Sequence, residues 1–233
     1  MSIILGIETS TKICSVAISK SDKLLAVKEE GGDYSHSEKL TVFIQTVLSE
    51  ANLKLKDIDA IAVSKGPGSY TGLRIGVSVA KGLCYALNKP LITVDTLQAM
   101  AYGACSKFIS EGIKRAVIYC PMIDARRMEV YTSLFDENNN EVEPISAKII
   151  DENSFSDYLK ENKIVFFGDG SSKCEAVLGN NENAIFISEG LPSAQHINSI
   201  ALEKLQKKEF EDVAYFEPYY LKDFIATTPK KLL

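Results

Sequence analysis

Glu8-Thr9-Ser10-Thr11 sets a carboxylate beside three hydroxyls in the turn that follows the first apolar run. Backbone N–H groups and hydroxyls in such a turn can cradle a phosphate, and the carboxylate can hold magnesium through water. A hydroxyl-rich hairpin turn with Glu8 at a strand end accounts for the same residues, and spacing alone does not decide between them. Asp124 follows a later apolar run and could place a second carboxylate across a cleft, as phosphoryl transfer would require. Arg126 and Arg127 come directly after it and offer salt-bridge partners, which favours a structural role. Gly168-Asp169-Gly170-Ser171-Ser172 joins a strand pattern to a helical one, where amides at a helix N-terminus could receive a nucleotide. A Gly-x-Gly turn with a serine cap serves a plain connection equally well.

Gly66-Pro67-Gly68-Ser69-Tyr70-Thr71-Gly72 also leads from a strand into a helix, but neither phosphate motif fits it. The Lys-Ser/Thr ending of a P-loop and the Gly-x-Gly-x-x-Gly spacing of a dinucleotide loop are both missing. Instead Gly68, Gly72, Gly76, Ala80 and Cys84 recur every four residues and lay small side chains along one helix face. An interior glycine costs a helix about 1 kcal/mol relative to alanine, so Gly72, Gly76 and Gly82 call for a compensating close approach. The approaching element is either the protein's own sheet or a partner, and a docking surface is the expectation. His36 and His196 are the two histidines, far apart and without an i+4 companion, which argues against a histidine-rich metal site. No Gly-x-Ser-x-Gly pattern supplies a hydrolase nucleophile.

The elements that must position these residues follow from periodicity. Ile3–Ile7, Ile13–Ser19 and Leu24–Glu29 read as three strands of a meander. Leu40, Phe43, Ile44, Val47 and Leu48 form one helical face, with Ser35 or Ser37 able to cap it. A strand at Ile58–Ser64, a helix over Ser69–Leu87, a strand at Leu91–Val94 and a helix over Leu97–Ile109 complete a βββαβαβα order. The order then repeats: strands at Ala116–Cys120, Glu129–Phe135 and Ile145–Ile150, a helix at Phe155–Lys160 and a strand at Ile164–Phe167. A helix at Lys173–Leu178, a strand at Ala184–Ile187 and a helix at Ala194–Lys207 finish it. The expectation is an α/β protein of two lobes around a cleft, residues 1–105 and 106–233, with the boundary near Gly103 to Gly112. In the tail, Pro218 to Leu221 should pack and the last residues fray.

With 233 residues, 45% of them apolar, the chain can bury a substantial core. Its formal charge of −5 gives no net field to draw in a phosphate backbone, which argues against autonomous nucleic-acid binding. Five cysteines at 14, 84, 105, 120 and 174, without a Cys-x-x-Cys pair, read as reduced and mostly buried thiols. The first residues lack the pattern of a signal peptide and no run of about 18 apolar residues occurs, so a cytoplasmic, membrane-free protein is expected.

Leu5-Gly6-Ile7-Glu8-Thr9-Ser10-Thr11 through Ile18, together with Gly66 through Gly76, resembles the bacterial TsaB family, formerly called YeaZ. The resemblance continues through His36-Ser37-Glu38-Lys39-Leu40, Ile123-Asp124-Ala125-Arg126-Arg127-Met128-Glu129-Val130-Tyr131, Gly168-Asp169-Gly170 and Pro218-Tyr219-Tyr220-Leu221, nearly the whole chain. It implies two RNase H-like lobes of the actin-like, sugar-kinase-like fold. It also implies a role in threonylcarbamoyladenosine formation at adenosine 37 of tRNAs reading codons that begin with A. In that system a related subunit, TsaD, transfers the threonylcarbamoyl group, TsaB supports it and an ATPase, TsaE, joins them.

Carried over, the resemblance puts a partner or homodimer interface on first-lobe helices at His36, Leu40, Phe43, Tyr70, Leu73, Arg74, Gly76, Val77 and Ala80. A vestigial nucleotide site would comprise Glu8, Thr9, Ser10, Thr11, Asp124, Gly168 and Gly170. It requires no cofactor of this chain, leaves ATP or ADP with magnesium to the complex, and brings tRNA in only through that complex. TsaD-like proteins follow the strand equivalent to Leu91–Val94 with His-x-x-x-His, whereas Thr96 and Met100 stand there in this chain. Neither is a strong ligand for a divalent ion, so a scaffold or activating subunit without catalysis of its own is implied. The same absence counts against a glycoprotease. The rival is a small actin-like ATPase or kinase using Glu8 and Asp124.

Overall fold

A computed structural model describes residues 1–32, 36–110, 117–188 and 190–222. The meander comprises β1 (Ile3–Glu8), β2 (Ile13–Lys20) and β3 (Lys23–Gly31), and α1 (His36–Glu50) follows. A short 3-10 turn at Leu55–Asp57, which no sequence pattern announced, leads into β4 (Ala60–Gly66), α2 (Tyr70–Leu87), β5 (Leu91–Asp95) and α3 (Thr96–Ser110). The order recurs in β6 (Val117–Asp124), β7 (Glu129–Phe135), β8 (Glu141–Ile149), α4 (Ser156–Glu161), β9 (Lys163–Phe167), α5 (Ser172–Leu178), β10 (Ala184–Phe186) and α6 (Ala194–Lys207). Expected ends at Ser35, Ala116 and Gly112 lie outside the described residues.

Each repeat builds one five-stranded sheet, β3-β2-β1-β4-β5 and β8-β7-β6-β9-β10, so the two share a strand order. In both, the meander is antiparallel and the later strands join parallel to the first. The central strands are covered on both faces, which is why β1 and β4 read as continuous apolar runs and not as alternation. β8 starts four residues before the expected Ile145 and carries Pro144. As an edge strand it tolerates a missing N–H, and its ladder with β7 is bulged nearby.

Two helices cross between the halves. α3 packs Leu97, Met100, Ala101, Ala104 and Cys105 against the second sheet. α6, from the end of the chain, packs Ile197, Ile200 and Ala201 against Ile4, Ala60, Ala62, Ile92 and Val94 of the first sheet. Polar contacts fix that docking. The buried Asn198 amide donates to Ile4 O (3.3 Å), Ala17 O (3.2 Å) and Ser19 Oγ (3.1 Å). It fits because β1 has glycine at position 6, where a Cβ would lie 2.2 Å from Asn198 Oδ1. Ala194 N donates to Ser15 Oγ (2.9 Å), which donates to Glu29 Oε1 (2.7 Å); Ser193 Oγ donates to the same carboxylate. All five cysteines are buried free thiols, and no described helix is long and apolar enough to cross a membrane.

Candidate functional site: the cleft and its two hairpin turns

The β1–β2 and β6–β7 turns face one another across a cleft of about 720 Å³, within the range of small-molecule sites. The loop at Gly68–Thr71 and Asp169 add to its walls, and Tyr219–Lys222 close one side.

The first turn keeps Ser10, Thr11 and Lys12 on the cleft wall and directs Glu8 and Thr9 inward. Glu8 is fully buried; its Oε1 accepts from Ser10 N (2.6 Å) and Ser64 Oγ (3.0 Å), and desolvation pushes its pKa up. Thr9 Oγ1 donates to Gly72 O (2.8 Å), and Ser10 O accepts from Ser69 N (2.6 Å). Thr11 O accepts from Nε2 of His36, a buried side chain that ties α1 to the turn at 2.8 Å. The glycine ladder explains itself at this point. A Cβ at Gly68 would lie 2.3 Å from Ser10 O, at Gly72 2.1 Å from Thr9 O, and at Gly76 2.3 Å from Thr9 Oγ1. The close approach that the ladder calls for therefore comes from this protein's own turn, and the expectation that Gly68–Gly76 forms an outward docking surface is corrected. The same packing leaves Glu8 no surface in the cleft.

The second turn is open. The Asp124 carboxylate is paired with Lys173 Nζ of α5 and accepts from Arg126 N (3.1 Å), while Asp124 N donates to Asp169 Oδ1 (2.9 Å). The salt-bridge partner is thus Lys173, and not the Arg126 or Arg127 side chain that the sequence suggested. Gly170 donates its N–H to Met122 O (3.0 Å) and lies so near that a Cβ would stand 2.9 Å from Ile123 C. The Gly168–Gly170 loop is thereby held against the end of β6. Thr96 and Met100 are both buried on α3 and neither lines the cleft.

Of the residues assigned to a partner interface, His36, Leu40, Phe43, Leu73, Gly76, Val77 and Ala80 are buried in this chain. Tyr70 is half-buried and Arg74 exposed. The Arg74 guanidinium lies 4.1 Å from the Tyr70 ring centroid and its Nε donates to Tyr220 OH (3.1 Å). That contact belongs to a strap of which the sequence announced only Pro218–Leu221. After α6, Glu211 pairs with Leu91 at the edge of β5, Lys81 Nζ donates to Ala214 O (3.2 Å) and Phe216 O (3.0 Å), and Tyr219 N donates to Lys65 O (2.7 Å). Lys222 then reaches Glu129 of β7 in the other half. On the outer face of α2 the space above Gly82 is open, Tyr85 is 86% exposed, and on neighbouring α1 Val42 is 54% exposed.

Paired sheets of one strand order, helices exchanged between them and a cleft lined by equivalent turns define an actin-like, sugar-kinase-like α/β protein. A solved activator of 2-hydroxyisocaproyl-CoA dehydratase from Clostridium difficile has that fold, with a TM-score of 0.51 at 11% identity over 90% of this chain and 98% of its own. The chain belongs to the TsaB family of tRNA threonylcarbamoyladenosine biosynthesis proteins. It is 31% identical to TsaB of Escherichia coli, over 96% of each chain. It superimposes on YeaZ from Pseudomonas aeruginosa with a TM-score of 0.78 at 26% identity, covering 95% of this chain and 100% of the other. Residues 29–233 also match the family model described as TsaD, tRNA N6-adenosine threonylcarbamoyltransferase.

Proposed function

We propose that this chain is a non-catalytic, partner-binding subunit in the formation of threonylcarbamoyladenosine at position 37 of tRNAs reading codons that begin with A. It supports a TsaD-type transferase, in a cytoplasmic complex that a TsaE-type ATPase joins. The observation that carries the non-catalytic part is the burial of Glu8: the side chain has no surface in the cleft, its Oε1 is held by Ser10 N and Ser64 Oγ, and the Thr9 hydroxyl is bonded to Gly72 O. ATP or ADP with magnesium is then handled by the complex, this chain requires no cofactor, and tRNA is met only in the assembly.

Docking uses the outer faces of α1 and α2, where Val42, Gly82 and Tyr85 are accessible, and the isolated chain pairs with itself through the same faces. An exposed tyrosine beside an open glycine suits a packed interface, since aromatic anchors in desolvated contacts carry much of binding energy. Gly82→Arg or Tyr85→Asp is expected to abolish co-elution with the transferase on gel filtration while the thermal melt of the isolated chain stays within about 2 °C. Undiminished co-elution of both variants would sink the docking assignment. Reconstitution without this chain should then form little modified tRNA.

One observation favours the rival ATPase or kinase: the cleft is large enough for a small ligand, and Asp124 is exposed within it. Calorimetry with ATP and magnesium separates the two. Micromolar binding that is lost in Asp124→Ala would promote the rival.

A further inference from the structure

The tip of the β6–β7 hairpin carries residues poorly suited to its backbone. Arg126, Arg127 and Met128 form a three-residue loop, closed by Ala125 N donating to Glu129 O (3.1 Å) and Glu129 N donating to Arg126 O (3.1 Å). Both arginines have positive φ, 73° and 48°. Side chains on L residues disfavour this left-handed region, and consecutive turn positions of this kind ordinarily hold asparagine and glycine.

Backbone bonds close the turn, Arg126 N to the Asp124 carboxylate among them, but no described residue pairs with the arginine side chains. Both are exposed, and neither guanidinium forms an ion pair among the described residues. The two carboxylates beside them in sequence are already engaged, Asp124 by Lys173 and Glu129 by Lys222. Arg126 lines the cleft, and across that cleft Lys12 occupies the corresponding turn of the first sheet. In a chain of net charge −5, positive charge is thus held at the cleft mouth by short, well-defined turns. Backbone strain retained at an exposed, charged position points to a ligand that rewards it.

We propose that the Arg126–Arg127 turn is a contact point for backbone phosphates of the tRNA, engaged when this chain is assembled with its transferase. The inference rests on the function proposed above. A guanidinium presents paired N–H donors to phosphate oxygens, and adjacent arginines at a hairpin tip can meet successive phosphates. Contacts of this kind position the RNA without reading its sequence. The acidic balance of the rest of the chain keeps the turn from binding RNA unaided, which fits a role confined to the complex.

The test uses the assembled complex and the double substitution R126N/R127G, whose residues suit the turn. The expected result is a melting temperature equal to or above that of the parent chain and roughly tenfold weaker binding of unmodified tRNA. The dependence of log affinity on log salt should also flatten by about one for each phosphate that is no longer neutralised. R126K/R127K, which keeps the charge, should retain most of the salt slope. Unchanged tRNA affinity and slope in an intact R126N/R127G complex overturn the proposal. So does loss of complex assembly in that variant, which would give the arginines to the protein partner, and so does a loss of ATP–magnesium binding with tRNA binding intact. Failure of the parent chain to enter a tRNA-binding complex is the failure of the underlying function, and it shows before any variant is made.

Discussion

The β1–β2 turn and the β6–β7 turn hold corresponding places in two sheets of the same strand order, and they are finished in opposite ways. At the first, α2 presses its glycines onto Thr9 and Ser10, the Glu8 carboxylate is sealed from solvent, and the Ser10 N–H and Thr9 hydroxyl are used inside the chain. At the second, Asp124 is half exposed, its partner is a lysine, and two arginines without an ion pair among the described residues stand on unfavourable backbone. Strand order alone brought both turns to the cleft. The residues that follow each turn decide whether it becomes packed core or accessible surface. For the first lobe that residue set is the four-residue glycine spacing of α2, and it makes Thr9 and Ser10 part of a structural joint.

The largest expected effect tests that joint. Gly72→Val would put side-chain carbons where even a Cβ lies 2.1 Å from Thr9 O, a backbone atom that cannot swing aside. Overpacking against fixed backbone costs about 3 kcal/mol, so urea denaturation should show a midpoint far below the parent's with a similar slope. A variant with parental stability would mean that the turn is mobile and that the two turns differ less than described.

Glu8→Gln addresses the buried carboxyl. Burial raises its pKa above the ordinary 4.5, the hydrogen bonds from Ser10 and Ser64 opposing this in part. Above pH 4.5 the folded chain therefore still holds a proton that the unfolded chain has released, so this group's contribution to stability is complete below 4.5 and declines as pH rises toward the folded pKa. Glutamine does not titrate. Relative to the parent, the variant should gain about 1.4 kcal/mol for each pH unit crossed in that window, as measured by urea denaturation at a series of pH values from 4.5 upward. A difference that stays constant with pH would show that Glu8 is charged in the folded state, closer in character to Asp124.

Both turns were visible in the sequence, but their contrast was not. The four-residue repeat of small residues announced that something approaches α2 closely. It could not say that the approaching atoms belong to Thr9 and Ser10, some sixty positions upstream, because periodicity reports a face and not its neighbour. The same limit hid the destination of α6. Its apolar stripe was legible, yet both sheets offer apolar faces, and the choice is made by Asn198 meeting the space above Gly6. The strap from Glu211 to Lys222 has no period to detect, being held largely by hydrogen bonds between backbone and scattered side chains. Arg126 and Arg127 gave no sign of left-handed backbone, since asparagine and glycine are the residues that signal it. Their adjacency to Asp124 suggested an ion pair that Lys173, almost fifty positions away, makes in their place.

The smallest effect concerns that ion pair. Lys173 and Asp124 retain 24% and 48% of their side-chain exposure, so water and salt screen the attraction and little of it survives as stability. Asp124→Asn, which keeps the shape and one acceptor oxygen for Arg126 N, should cost well under about 1 kcal/mol, and the difference from the parent should shrink when the melt is repeated at about 1 M salt, where screening acts within a few ångströms. A loss several times larger that persists in salt would place Asp124 among the buried supports of the fold. The second turn would then be a structural joint like the first, and the arginines beside it would lose their standing as accessible surface.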